Sequence, residues 1–146
     1  MKDFQALRSL LAVLAVLALG LLIFGVLVAA DRADLLIPSP EGAAEQFVSA
    51  MAAHRYTGAL NQLSQDLQGQ VKEKDLQDLV QSIEASSSEG IQDAHEEEAQ
   101  EQVDTATASV RVKLGNNQEE TLDFPLKKEN GLWKLTSIDP LRSLVK

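Results

Sequence analysis

The sequence predicts an α+β fold: an N-terminal transmembrane helix, then three helices packed on one face of a curved antiparallel sheet of about four strands. Three observations predict it. Residues 9–30 contain no ionisable side chain. From residue 40 onward, apolar residues recur at intervals of three and four, which is typical of amphipathic helices. After residue 105 apolar and polar residues alternate instead, which indicates strands with one buried face.

Residues 9–30 are predicted to form an uncleaved membrane anchor, so the lipid bilayer is their expected partner. At about 1.5 Å per helical residue, such a segment reaches roughly 30 Å, the hydrocarbon thickness of a bilayer. A cleaved secretory signal peptide is the alternative, because residues 28–30 (VAA) form an acceptable cleavage site. The apolar region of a signal peptide is normally only about 7 to 15 residues long, which favours the anchor.

The flanking charges predict the orientation of this anchor. Lys2 and Arg8 precede it, whereas Asp31, Arg32 and Asp34 follow it. The positive-inside bias therefore places residues 1–8 in the cytoplasm and the rest of the chain outside. We expect a single-pass protein of the cell membrane with an extracytoplasmic C-terminal domain.

Charge and cysteine content exclude several classes of partner and site. Residues 31–146 hold 11 basic and 21 acidic groups, a net charge of −10. Such a surface is repelled by nucleic acid, which we do not expect as a partner. The chain has no cysteine, which excludes a lipoprotein anchor, disulfides, thiolate metal sites and a cysteine nucleophile.

The first predicted helix follows a linker, residues 31–40, in which Pro38 and Pro40 disfavour a continuous helix. Ser39 at the N-cap and Pro40 at the first helical position are a preferred helix start. The apolar stripe of this helix consists of Ala43, Ala44, Phe47, Val48 and Met51.

Two more helices are predicted before the sheet. The second carries Leu60, Leu63, Leu67 and Val71, and Gly69 leaves its end uncertain. The third is expected to start at Asp75, with Asp78 three residues later, and to stop at residues 86–90 (SSSEG). Its apolar face consists of Leu76, Leu79, Val80 and Ile83.

The strands follow from the alternation. Residues 105–114 form one strand, residues 115–117 (GNN) a turn, and Leu122, Phe124 and Leu126 belong to a returning strand. Residues 130–131 (NG) predict a two-residue hairpin turn into a last strand, residues 132–138. There Trp133 and Leu135 share a face, while residue 138 is out of phase, which suggests a bulge or the strand end. A weakly alternating edge strand is expected within residues 91–98.

The order of elements, with residues 131–139 (GLWKLTSID) on the last strand, resembles the nuclear transport factor two-like superfamily. This superfamily is also called cystatin-like or ketosteroid-isomerase-like, and the chain looks like its small, membrane-tethered, uncharacterised bacterial domains. The opening helix, residues 43–64, fits the same pattern. The resemblance implies one α+β domain over residues 41–139 with a C-terminal tail, residues 140–146. It also implies a cone inside the sheet, which is a pocket in some members and filled in others.

The residues expected to face this cone are also the candidate pocket lining. They are Phe47, Met51, Tyr56, Phe124 and Trp133. For Trp133 the alternatives are core packing and stacking on a ligand, and its phase with Leu135 favours the core. For Tyr56 the alternatives are a solvated hydroxyl and a hydroxyl in the pocket.

No catalytic, cofactor-binding or metal-binding residue is predicted. His54 lies at the end of the first helix, which favours a solvated or capping role. His95 precedes an acidic run, residues 96–98, but no calcium-loop spacing is present, so a solvated hairpin is favoured over a metal site.

The C-terminal tail carries one further candidate surface. Asp139 and Pro140 predict a helical turn, followed by Leu141, Leu144 and Val145 at helical spacing. This turn either folds back over the sheet or docks on a partner.

These features favour a non-catalytic binding or scaffold domain that belongs to an envelope protein assembly, with a membrane or envelope protein as its partner. Self-association into a homo-oligomer is compatible with this prediction. The alternative is a small-molecule carrier or sensor that uses the cone as its pocket. No enzymatic activity and no cofactor are expected.

Overall fold

A computed structural model describes residues 38–145 of the chain, which belong to one compact unit, residues 38–146. The predicted cytoplasmic residues 1–8, the predicted membrane segment 9–30 and most of the predicted linker lie outside the described residues. Within residues 38–145, every helix is too short or too polar to span a bilayer.

The first helix, α1 (Pro40–Ala52), begins where the sequence predicts. The Ser39 hydroxyl accepts a hydrogen bond from the amide of Gly42 at 3.2 Å, and Pro40 occupies the first turn. This is the expected side-chain cap, which satisfies an amide that the helix itself leaves free. The predicted apolar stripe is buried: Ala43, Ala44, Phe47, Val48 and Met51.

The prediction of one continuous second helix is wrong. Two short helices take its place: α2 (Tyr56–Asn61) and α3 (Gln65–Gln68). Between them Leu63 forms a parallel bridge with Leu135. The amide of Leu135 donates to the carbonyl of Gln62 at 2.9 Å, and the amide of Ser64 donates to the carbonyl of Leu135 at 2.8 Å. Because these main-chain groups bond to the sheet, they cannot form the hydrogen bonds of a continuous helix. Ser64 then caps α3.

The third predicted helix exists, but it starts earlier, as α4 (Glu73–Ser87). Asp75 is therefore not the cap but the third helical residue, and its carboxylate accepts from the amide of Lys72 at 2.8 Å. The helix ends as predicted near Ser88, which has a left-handed φ of 70°. Its buried apolar residues are Leu76, Val80 and Ile83.

Four antiparallel strands form one sheet in the order β1-β2-β3-β4: β1 (Ile91–Glu101), β2 (Thr105–Leu114), β3 (Glu119–Glu129) and β4 (Leu132–Leu135). The predicted alternation on β2 and β3 is confirmed, since these residues are buried: Ala106, Ala108, Val110, Val112, Leu114, Leu122, Phe124 and Leu126. Asn130 and Gly131 have φ of 52° and 79°, as a two-residue type I′ hairpin turn requires.

The edge strand β1 is longer than predicted. Its register with β2 shifts twice, between Ile91 and Asp93 and between Glu96 and Ala99. Each shift moves side chains out of strict alternation, which explains why the sequence pattern is weak here. The prediction that this strand lies at an edge is confirmed.

The last strand, β4, ends at Leu135 rather than at Ile138. The amide of Thr136 donates to the carbonyl of Pro125 at 2.9 Å, but proline has no amide hydrogen for the return bond. The ladder between β3 and β4 therefore stops there. The chain then turns into a short helix, α5 (Asp139–Arg142), and Ile138 is buried at the turn.

Candidate functional site

The predicted pocket residues lie mostly in the core. Phe47, Met51 and Phe124 are fully buried, and Trp133 is 5% exposed. The rings of Phe47 and Phe124 make an edge contact, with centroids 6.0 Å apart and planes at 75°. Tyr56 is half-buried beside this core. None of the five side chains lines either of the two cavities described below.

A hydrogen-bonded cluster forms where α1 ends. His54 Nδ1 lies 2.8 Å from the hydroxyl of Tyr56, and His54 Nε2 lies 3.2 Å from Glu84 Oε1. His54 has a left-handed φ of 56°, which turns the chain between α1 and α2. The sequence does not indicate the contact with Glu84, because this residue lies on α4 and only the packing of the helices brings it near.

The three side chains are arranged like a catalytic triad, in which an acid orients a histidine and the histidine contacts a hydroxyl. When Glu84 accepts from Nε2, the Nδ1 atom accepts the proton of the Tyr56 hydroxyl. Burial, and then the negative charge of Glu84, raise the pKa of Tyr56 above its ordinary value. The hydroxyl is thus held in its protonated form, the opposite of an activated nucleophile. The cavity beside it, of about 150 Å³, is small.

The acidic residues near His95 are engaged separately. His95 lies 2.9 Å from Asp93, while Glu97 pairs with Arg111 and accepts a hydrogen bond from Thr121. Among the described residues, histidine and carboxylate side chains form no group of three able to hold a metal.

The C-terminal turn folds back over the domain. Leu141 and Leu144 are buried, and Ser86 Oγ donates to the carbonyl of Leu144 at 3.4 Å. Of the three residues predicted to dock a partner, only Val145 is exposed, at 41%. Of the two alternatives for this turn, Leu141 and Leu144 therefore adopt the one in which it folds back over the domain.

A larger open groove, of about 540 Å³, lies over exposed residues of the sheet such as Thr105 and Thr107, and it also reaches the buried residues Ala106 and Leu126. It crosses three strands, with Gln100 opposite Thr107 on β1 and β2, and Thr107 opposite Pro125 on β2 and β3. The groove is lined by Gln100, Glu101, Gln102, Thr105, Ala106, Thr107, Pro125, Leu126, Lys127 and Thr136. We call this surface the polar groove.

The polar groove differs from the rest of the same sheet face in its hydrogen bonding. Beyond the groove, Ser109 donates to Asp123 at 2.6 Å, and Arg111 pairs with Glu97. Within it, four side chains have no hydrogen-bonding or ionic partner among residues 38–145; they are Gln100, Gln102, Thr105 and Thr107. The alternation on β2 predicts that its two threonines face solvent. The bulges of β1 interrupt the alternation, so the sequence does not predict which way the two glutamine side chains point.

Comparison with known proteins identifies the fold. The chain matches no family model and no curated protein. It is similar to the crystal structure of a Campylobacter jejuni protein described as an NTF2-like transpeptidase, at 18% identity and a TM-score of 0.54. That match covers 68% of this chain and 98% of the other.

A second similar structure is the solution structure of a SEC-C motif containing protein from Rhodopseudomonas palustris. Its identity is 11% and its TM-score 0.55, over 68% of this chain and 76% of the other. The Campylobacter jejuni structure supports an NTF2-like fold for the described domain, in agreement with the resemblance seen in the sequence. At such identities the similarity concerns the fold alone.

Proposed function

We propose that this chain is a non-catalytic binding or scaffold protein of the cell envelope. In this proposal residues 9–30 span the cell membrane once, residues 1–8 are cytoplasmic, and the NTF2-like domain is outside. The observation that carries the proposal is the polar groove, an open surface in which the side chains of Gln100, Gln102, Thr105 and Thr107 have no partner among residues 38–145.

The groove suits a protein partner better than a small molecule. Small-molecule sites enclose most of the ligand and are lined mainly by apolar and aromatic side chains. Here the large aromatic residues Phe47, Phe124 and Trp133 are packed in the core. The groove is open and contains no aromatic ring, and seven of its ten lining residues are polar or charged. Protein surfaces, in contrast, associate through many hydrogen bonds spread over a wide area.

The charge of the domain supports the same class of partner. Residues 38–145 include 9 basic and 19 acidic side chains. This excess of negative charge disfavours nucleic acid and anionic lipid headgroups at the domain surface. A membrane or envelope protein therefore remains the proposed partner.

The membrane topology is tested with single cysteines, since the natural chain has none. Gln5→Cys and Gln77→Cys are made separately, and intact cells are treated with a membrane-impermeant maleimide. The proposal predicts labelling of Gln77→Cys in intact cells, and of Gln5→Cys only after permeabilisation. The reverse pattern, or loss of the protein from the membrane fraction, would contradict the topology.

The binding role is tested by extracting the intact protein from its native membrane in mild detergent, followed by mass spectrometry. The proposal predicts one defined set of membrane or envelope proteins at stoichiometric levels. Recovery of the protein alone, with a bound small molecule, would favour a carrier or sensor and overturn the scaffold role.

A further inference from the structure

We infer that the polar groove binds a segment of the partner protein in an extended conformation, and that it recognises the main chain of this segment rather than its side chains. The inference rests on the proposed function, since it specifies what the partner presents to the groove. Three observations carry it: the spacing of the free side chains, their chemistry and the pairing of the two ionised side chains that line the groove.

The free side chains form a regular array. Gln100 lies near the end of β1 and Gln102 just after it, two residues apart, and Thr105 and Thr107 lie two residues apart at the start of β2. Gln100 is opposite Thr107, and the amide of Gln102 donates to the carbonyl of Thr105 at 2.7 Å. Two residues along a strand span about 6.6 to 6.8 Å, which is also the repeat of any extended polypeptide. An extended ligand parallel to these strands therefore stays in register with the array.

The chemistry of the array suits main-chain groups. A glutamine amide and a threonine hydroxyl each donate and accept hydrogen bonds, and a polypeptide presents one N–H and one C=O per residue. The lining of the groove contains no aromatic ring. Nucleic acid bases require such a ring for stacking in single-stranded recognition. The lining therefore favours a polypeptide over such ligands.

The two ionised side chains that line the groove, Lys127 and Glu101, have opposite charges, and each is already paired. Lys127 lies 2.9 Å from Asp66 and 3.0 Å from Glu129. Glu101 lies 3.9 Å from Lys128. An acidic or basic ligand would have to compete with these pairs, so the groove is complementary to an uncharged segment.

The test uses the full chain in detergent and a displayed library of random ten-residue peptides. Peptides are selected on the wild-type protein and then measured on two variants. Thr107→Trp fills the groove, and Gln81→Trp places the same side chain on the exposed face of α4. We expect the selected peptides to be uncharged. Their affinity should fall about ten-fold or more in the Thr107→Trp variant and should be the same in the Gln81→Trp variant as in the wild type. If Thr107→Trp does not fold, Thr107→Val removes the hydroxyl at nearly the same volume.

The selected peptide is then modified to separate main-chain from side-chain recognition. N-methylation at alternate residues removes single N–H donors, and we expect about a ten-fold loss of affinity at each contacting position. Alanine substitution at the same positions should change the affinity less. Tolerance of every N-methyl group, selection of charged peptides or failure to select any peptide would each overturn the inference. In those cases a stoichiometric membrane partner in the detergent extract would still support the proposed function, so the two can fail independently.

Discussion

The phase of the last strand, β4, can be tested by truncating two leucines on its opposite faces. Leu135 is 0% exposed and Leu132 is 40% exposed, although both lie on the same short strand. Truncation of a fully buried leucine to alanine costs about 3 to 5 kcal/mol, because it removes apolar contacts and leaves a cavity. We expect Leu135→Ala to lower the free energy of unfolding by that amount, and Leu132→Ala by roughly 1 kcal/mol or less.

The assay is urea unfolding of the full chain in one detergent, followed by the fluorescence of Trp133. This residue is the only tryptophan and is buried, so its emission reports unfolding of the sheet. At about 4 to 8 °C per kcal/mol for a domain of this size, Leu135→Ala should also lower Tm by roughly 12 °C or more. Equal costs for the two variants, or a larger cost for Leu132→Ala, would mean that β4 is shifted by one residue and would refute the assignment.

Three further predictions concern single side chains. Gly131→Ala should destabilise the domain by about 1 kcal/mol, because its φ of 79° strains any side chain. The hydrogen bond from Lys127, and then one from a main-chain amide, lower the pKa of the Glu129 carboxyl below its ordinary value of 4.5. The ionised carboxylate therefore stabilises the folded domain above pH 4.5. This stabilisation is lost as the pH falls through the lower pKa of the folded state. Urea unfolding should find Glu129→Gln less stable at neutral pH, with a smaller further loss in acid. Absorbance titration of Tyr56, the only tyrosine, should give a midpoint above 10.0, and Glu84→Gln should lower that midpoint without removing the shift due to burial.

Two of these predictions have a matched control variant. Gly58 lies in a helix, and a Cβ added there would meet only the Cβ of Arg55, at 4.0 Å, so Gly58→Ala should stabilise the domain by up to about 1 kcal/mol. A loss of stability there would contradict the helical assignment. Glu98 is exposed and its side chain has no partner among residues 38–145, so Glu98→Gln should leave the stability at neutral pH unchanged. A tyrosine midpoint that rises in Glu84→Gln would contradict the geometry of the His54 cluster.

The sequence predicts those parts of the fold that depend on local chemistry. The cap at Ser39, the alternation on β2 and β3 and the Asn130–Gly131 turn are all present, because each depends on neighbouring residues alone. The break at Leu63 could not be predicted, since it is caused by hydrogen bonds to Leu135, which lies far along the chain.

The candidate site is harder to predict for the same reason. Alternation places Thr105 and Thr107 on the solvent face, but the groove also needs Gln100 and Gln102, and the bulges in β1 obscure their direction. The lack of partners for these four side chains is a property of the assembled sheet. A sequence pattern contains no signal for it.

Photo-crosslinking in native membranes tests whether the polar groove is the surface that holds a partner. Thr107 is replaced by p-benzoylphenylalanine in the full chain, and Gln81, which is exposed on α4, is replaced in a separate control. Our proposal predicts that illumination attaches one defined envelope protein at position 107 and none at position 81. Attachment at position 81 but not at position 107, or no protein adduct at either position, would contradict it.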